Sequence, residues 1–493
     1  MRPATLIRLA VAGNRTDHLR TVLTALSAAL AAVTLLSAAT VLAIHGEAER
    51  YAATLLVESG LRPGVAAALI LLSFPILALA GQCIRLGAPA RDRRLAAIRL
   101  AGATPRQAVL IAGAETVAAA LLGSITGFGV YLLLRVFLER RDEMRLLWLP
   151  TDVLPSPVSV AVILLAVPVI AGLIGTLLLR RVVISPLGVV RRLRTRGPRP
   201  WPGVLIVAGL LLFATPRWLG PISGTAFATF LSAGVALTMI GVVLGTGWIA
   251  HTTGRLLHRF GNRPAMLLAG RRLMGDPWSG SRTLAALLAS VVAGAIALGY
   301  RAQFQTEFRA IDLYNTMLGG DSGQGLGADE DFYVGAVDLI MLGVGIGVAV
   351  AAAGVLVTLA ESIVARRRAY AAMTAVGVPR RTLSEAVLWQ TLTPLVPALL
   401  LALTSGLGLA RLMGTKASAG GESGYLCDAA CQAGTADPVE VLTPWAPVTV
   451  AVPVPVDMLA LLGGGAFLAM LVAAGIGLLV LRSSTDLEEL RAG

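Results

Sequence analysis

Residues 91–107 read RDRRLAAIRLAGATPRQ, a basic, helix-prone interruption between two long apolar runs. A diverged copy, ARRRAYAAMTAVGVPRRT, begins at Ala365 and is flanked by apolar runs in the same way. At a constant offset Arg91, Arg93, Ala96, Ala97, Gly102 and Arg106 fall on the identical residues Arg366, Arg368, Ala371, Ala372, Gly377 and Arg381. Self-similarity at fixed spacing is the mark of a repeated unit. Two polar connectors at equivalent places in apolar surroundings describe a duplicated, all-α integral membrane protein.

The composition agrees. Of 493 residues, 56% are hydrophobic and only 14% charged, against about 25% charged in soluble domains. A spanning helix needs roughly 20 apolar residues, and runs of that length recur along the chain. The net charge of +13 comes from Arg clustered between those runs, which is what membrane orientation requires, so nucleic acid is not the expected partner. Lys416 is the only lysine, beside 40 Arg. A P-loop needs Lys after Gly and before Ser or Thr, whereas Lys416 stands between Thr415 and Ala417. The chain is therefore expected to be no ATPase itself and to hold no cofactor. Cys83, near the end of an apolar run, reads as a packed small hydrophobe. Cys427 and Cys431 sit in a polar loop predicted to lie outside, where a disulfide is possible.

Working outward from the first connector, the apolar runs predict ten transmembrane helices, at about residues 22–44, 63–84, 108–134, 158–179, 201–215, 222–250, 283–300, 334–360, 386–409 and 458–481. The first begins too late and runs too long for a cleaved signal. The basic segment before it, with Leu6, Leu9 and Ala10 on one face, predicts an interfacial helix. With the N-terminus in the cytoplasm, every Arg-rich segment falls inside and the opposite loops are acidic or balanced, so both termini are cytoplasmic. Residues 268–288 echo residues 9–26, with Arg282-Thr283 on Arg20-Thr21. The expected order is 4+2+4: a first four-helix repeat with its interfacial helix (1–180), a basic linker and two bridging helices (181–250), and a second interfacial segment and four-helix repeat (251–493). The two repeats run in the same sense, unlike the inverted repeats of many secondary transporters.

Candidate chemistry within the spans is sparse. Ion-coupled carriers place ionisable groups deep in the membrane, but Glu115, Asp338, Glu361 and Asp457 all lie near predicted span ends. The four His are scattered and form no H-E-x-x-H pattern. Gly343, Gly345 and Gly347 fall inside an apolar run, where close helix packing is expected rather than a dinucleotide loop. Gly123 with Gly127, and Gly241 with Gly245, fit the small-xxx-small pattern of helix contacts. Pro168, Pro394 and Pro397 lie within spans, where kinks are expected.

At the connectors the sequence resembles the FtsX-like permease family of ABC transporters. The family's Arg-rich start, short helix, Leu-Arg-x-Leu-Gly-Ala-Thr and following Glu are matched by Arg91, Arg93 and Arg94, then Ile98 to Thr104, then Glu115. The acid usual after the Arg run is replaced by Leu95 and Tyr370. The second copy keeps Arg366, Arg367, Arg368 and Gly377 but has Pro379 for Thr and Gln390 for Glu. The resemblance implies a separately encoded ABC ATPase, in two copies, carrying ATP-Mg and docked beneath the connectors. Its coupling residues would be Arg91, Arg93, Arg94, Arg99, Gly102, Ala103, Thr104 and Arg106, with Arg366, Arg367, Arg368, Gly377, Arg380 and Arg381. Gly102 and Gly377 would permit the turn back into the membrane.

The 4+2+4 order is most similar to the bacitracin-export type, but residues 301–333 are too short for that type's large outer domain and are expected to form a loop. The resemblance implies a multi-pass protein of the bacterial cytoplasmic membrane, in contact with lipid and moving a hydrophobic or amphipathic molecule (antibiotic, peptide or lipid), as in efflux and antibiotic resistance. The alternative it leaves open is a signalling protein that conveys ATPase state to a cell-wall partner outside. An ion-coupled carrier ranks below both.

Overall fold

The computed structural model describes residues 15–45, 51, 62–83, 100, 102, 104–141, 147–183, 197–219, 223–317, 326–365, 367–420, 423–426, 439–442 and 447–483. The first repeat consists of α1 (Arg15–Leu42), α2 (Arg62–Cys83), α3 (Pro105–Phe137) and α4 (Pro157–Val183). Two bridging helices follow, α5 (Pro202–Ala214) and α6 (Gly224–Phe260), joined through a helical turn at Pro216–Leu219, and then the short α7 (Pro264–Gly275). The second repeat holds α8 (Pro277–Met317), α9 (Leu326–Ala365), α10 (Arg367–Ala375), α11 (Arg380–Met413) and α12 (Val456–Ser483). Between α11 and α12 lie β1 (Lys416–Ala419), β2 (Ser423–Leu426), β3 (Val439–Leu442) and β4 (Val448–Ala451).

Among the described residues nine helices are long and apolar enough to cross a membrane, the 18-residue Pro202–Leu219 segment of the fifth predicted span among them. The second predicted span is met by α2, 22 residues with no charge after Arg62. The architecture is that of an all-α integral membrane protein. The predicted N-terminal interfacial helix lies outside the described residues, apart from its last turn, which is continuous with α1.

Within lipid, apolar side chains gain little by leaving one hydrocarbon for another, so helices associate where small residues let backbones approach. The α1–α3 contact is of that kind: a Cβ at Gly127 would stand 2.6 Å from the Ala29 carbonyl oxygen, and Gly123 meets Ala25 as closely. The second repeat repeats the device between α8 and α11, where a Cβ at Gly406 would stand 2.6 Å from the Val292 carbonyl oxygen. Gly241 packs on Ile206 and so joins α6 to α5. Gly347 packs on Ser290, but Gly343 and Gly345 face open space, so only one of those three serves helix packing. Val162, Leu165, Val169 and Leu173 are each more than half exposed, an i, i+3/i+4 stripe that gives α4 a lipid-facing side.

In each repeat the first helix packs on the second and third, and the third on the fourth. Ala28, Ala31, Ile76, Ala120 and Val167 form the first core, with Val350 of α9 packed against it. Leu287, Leu288, Val291, Leu395 and Met470 anchor the second core, which also takes in Ile206 and Val242 from α5 and α6. The bridging pair thus packs on the second repeat, against α8 and α11, and the main contact between the repeats is α2 with α9.

Two stretches differ from their expected form. Residues 301–333 are not an open loop: α8 continues to Met317 and α9 begins at Leu326. Phe304, Phe308, Ile311 and Tyr314 keep the helical period without an intervening Gly or Pro, and hydropathy alone does not register that. At 41 residues α8 is roughly 60 Å long, about twice the hydrocarbon thickness. Near its far end Phe304 and Tyr333 stack with ring centroids 5.0 Å apart. Residues 416–451 hold two antiparallel ladders, β1 with β4 and β2 with β3, where Val-Thr-Val alternation favours a pleated surface. Ala417 and Ala419 of β1 pack with Ala310 and Tyr314 and so fix this element on α8.

Candidate functional site

The predicted coupling residues divide by position. Arg91, Arg93, Arg94, Arg99, Ala103 and Arg366, like Cys427 and Cys431, lie outside the described residues. The remainder sit where α2 and α9 give way to α3 and α11. Gly102 has φ +94° and Gly377 φ +95°, the left-handed region that costs an L side chain roughly 1–2 kcal/mol. Nothing lies within 4 Å of a Cβ placed at either position, so backbone conformation rather than space calls for glycine. The two residues match in sequence and adopt the same backbone turn.

Each turn is finished differently. After Gly102, Thr104 caps α3: its hydroxyl accepts from the Gln107 N–H at 3.3 Å, and the Gln107 side chain accepts from the Thr104 N–H at 2.9 Å. With Pro105 at the first helical position, this is a capping box that satisfies donors no intrahelical carbonyl can reach. Arg106 lies in that first turn of α3. In the second copy the closure precedes the turn. The Val378 N–H donates to the Met373 carbonyl and the Gly377 N–H to the Thr374 carbonyl, each at 3.0 Å. This pair of bonds around a left-handed Gly is a Schellman motif. Pro379 then opens α11, where Arg381 donates to Glu385 at 3.0 Å while remaining 90% exposed. Arg367 and Arg368 are the first two residues of α10, and Arg380 is the first of α11.

The short helix α10 is firmly seated. Tyr370 is 2% exposed and clusters with Ile363 of α9, Leu383 of α11 and Leu478 of α12. Met373 and Val378, the two residues bonded in the Schellman motif, pack on the same cluster. From α7, Arg272 donates to the Tyr370 hydroxyl at 2.8 Å, and its guanidinium lies 5.0 Å from the ring centroid. Where the resemblance leads one to expect a carboxylate, a phenol thus receives an arginine. Ala269 and Leu273 of α7 pack with Ala250 and Leu257 of α6 and with Trp389 of α11. A load on α10 therefore reaches α9, α11 and α12 directly, and α6 through α7. The sequence signal for Arg272 was slight: it lies in the echoed segment, but nothing there pointed to Tyr370.

Two of the acids weighed for ion coupling, Glu115 and Asp338, have basic partners. Glu115 Oε1 lies 2.6 Å from Arg20 Nη2 in a pair joining α3 to α1, with side chains 12% and 7% exposed. Asp338 of α9 accepts from Arg301 of α8 at 2.7 Å. Asp457 lies in the first turn of α12, where a negative charge complements the helix dipole.

Comparison with known proteins adds one match. Residues 341–485 fit the family model for the FtsX-like permease C-terminal domain, a stretch that runs from α9 through the second connector to the end of α12. It falls on the second copy, although the first keeps the quoted signature more closely. No curated protein matches the chain. Residues 341–485 are thus similar to the C-terminal domain of FtsX-like permeases, with the second connector enclosed in that stretch, and Gly102 of the first connector shares the left-handed backbone of Gly377.

Proposed function

We propose that this chain is the permease subunit of an ABC transporter whose ATPase is a separate polypeptide, and that it exports or extracts a hydrophobic or amphipathic molecule from the membrane. The observation that carries this reading is the path of α2 and α9: both lead into a connector, and they form the main contact between the repeats. Two ATPase subunits beneath the connectors, approaching on ATP binding, would press on the two helices that hold the halves together. The chain then supplies the lever and the partner supplies ATP-Mg. In this reading it sits in the bacterial cytoplasmic membrane with both termini and both connectors on the cytoplasmic side.

The test is co-expression with the ATPase encoded beside it. The two should co-purify, and the permease should raise the ATPase rate. Arg91→Glu should abolish that rise without loss of membrane insertion. Failure of the purified chain to bind any ATPase would sink the reading.

A second reading, transmembrane signalling to a cell-wall partner, is favoured by the far ends of α8 and α9. The two helices pack through Phe304, Phe308 and Tyr333 there, and α8 carries β1 and β4, a projection suited to protein contact. Recovery of a cell-wall enzyme from the outer face, with no substrate movement in vesicles, would select it.

A further inference from the structure

A cavity opens on the face opposite the connectors, where the end of α5 and the Pro216–Leu219 turn meet the start of α6 and the end of α11. Its volume is about 370 Å³, within the range of roughly 300–1,000 Å³ typical of ligand pockets. Phe213, Phe227, Leu231 and Met413 supply apolar wall, and Arg217 and Lys416 stand beside them with no acid among the lining residues. Among the described residues neither cation forms an ion pair. Both cations are exposed, and with no acid at the cavity to offset them an anion there would complement both.

The depth of the cavity follows from the tryptophans. Trp201 and Trp218, 50% and 78% exposed, bracket the fifth span, as aromatic side chains do at the two membrane surfaces. The 17 helical steps from one to the other correspond to about 25 Å, close to the roughly 30 Å of a hydrocarbon core. Arg217 adjoins Trp218, so the cavity lies at head-group level. Val204, Val207 and Leu211, 68%, 56% and 56% exposed, lie on the side of α5 away from its packed residues Ile206, Gly209 and Phe213, so this helix presents an apolar face to lipid next to the cavity.

We propose that this cavity binds an anionic, phosphate-bearing lipid, with the phosphate between Arg217 and Lys416 and the start of an acyl chain against Phe213, Phe227, Leu231 and Met413. A guanidinium and an ammonium are the groups that bind phosphate through charge-assisted hydrogen bonds. The site lies between the bridging helices and the second repeat, so its occupant is positioned to respond when α11 moves. This deepens the transport reading by giving the amphipathic molecule a charge and an entry point. It can be tested without any ATPase, so either proposal can fail alone.

The full-length protein is placed in phosphatidylcholine nanodiscs containing a minor fraction of photoreactive phosphatidylglycerol. Cross-links should map to the cavity, and Arg217→Gln with Lys416→Gln should reduce labelling by about tenfold, the loss expected for a little over 1 kcal/mol of contact energy. Arg309→Gln, which removes an exposed cation of α8 outside the cavity, should leave labelling unchanged. Leu231→Trp, which fills the cavity and keeps both cations, should block it. Unlabelled phosphatidylglycerol should compete and inorganic phosphate should not. Undiminished labelling of the double variant or of Leu231→Trp overturns the proposal. Equal loss with Arg309→Gln, or equal competition by inorganic phosphate, overturns it as well, since the cavity would then not select a lipid.

Discussion

Glu115 and Arg20 meet at 2.6 Å with little access to solvent. Two charges withdrawn from water have each lost their hydration, and their mutual attraction offsets part of that loss. Removing one partner of such a pair costs about 3–5 kcal/mol, because the survivor remains buried and uncompensated, whereas replacing both by apolar groups is often tolerated. Arg20→Met alone and Glu115→Leu alone should therefore each destabilise the protein strongly, and the double variant should recover most of the loss. Unfolding of the purified protein, analysed as a double-mutant cycle, measures this; simple addition of the two losses would refute the pairing. The second repeat has Gln390 at the position of Glu115, so a carboxylate there is not required by the repeat itself. Its place in the first repeat is to hold α1 against α3. Asp338 differs in setting: it is 57% exposed beside Arg301, and a pair so open to solvent contributes little.

At the scale of elements, α10 is held by one aromatic side chain with two kinds of contact. Tyr370→Phe removes the hydroxyl bond from Arg272 and keeps the ring, whereas Arg272→Ala removes both the bond and the cation–π contact. A hydrogen bond to a charged group is worth about 1.5–3 kcal/mol, and the cation–π contact adds about 0.5–2 kcal/mol. Arg272→Ala should lower permease-stimulated ATP hydrolysis more than Tyr370→Phe, with both proteins still inserted and folded. Equal stimulation in both variants and the parent would show that α7 takes no part in coupling. The spans were legible because length and apolarity decide them, and the turn at Gly102 and Gly377 because a left-handed residue so strongly favours glycine. The seating of α10 was not, since Arg272 and Tyr370 are 98 residues apart and no local pattern joins them. Nor was the continuation of α8 past Tyr300, where the helix is sustained by aromatic packing with α9 rather than by hydropathy.

For the whole molecule, the question is how two repeats become one machine. Their contact runs along α2 and α9, and at Gly354 a Cβ would stand 2.5 Å from Gln82 Oε1. That oxygen is buried without a hydrogen-bond partner among the described residues; as the end of a flexible side chain it can turn aside for a methyl group, but a whole leucine side chain demands far more space. Gly354→Leu should force α2 and α9 apart, at a cost of about 1–3 kcal/mol for overpacking. It should also sharply reduce ATPase stimulation, since the pressure on one connector would no longer meet the other half. Gly343, on the same helix, faces open space, and Gly343→Leu should be neutral or stabilising by up to about 1 kcal/mol, because leucine is the better helix former. Stimulated ATP hydrolysis and unfolding midpoints measured side by side separate the two effects. A Gly354→Leu protein that is less stable yet fully stimulates its ATPase would show that the halves act independently. Loss of stimulation in Gly354→Leu with none in Gly343→Leu would locate coupling in the α2–α9 contact, on the helices that lead to the two glycine turns.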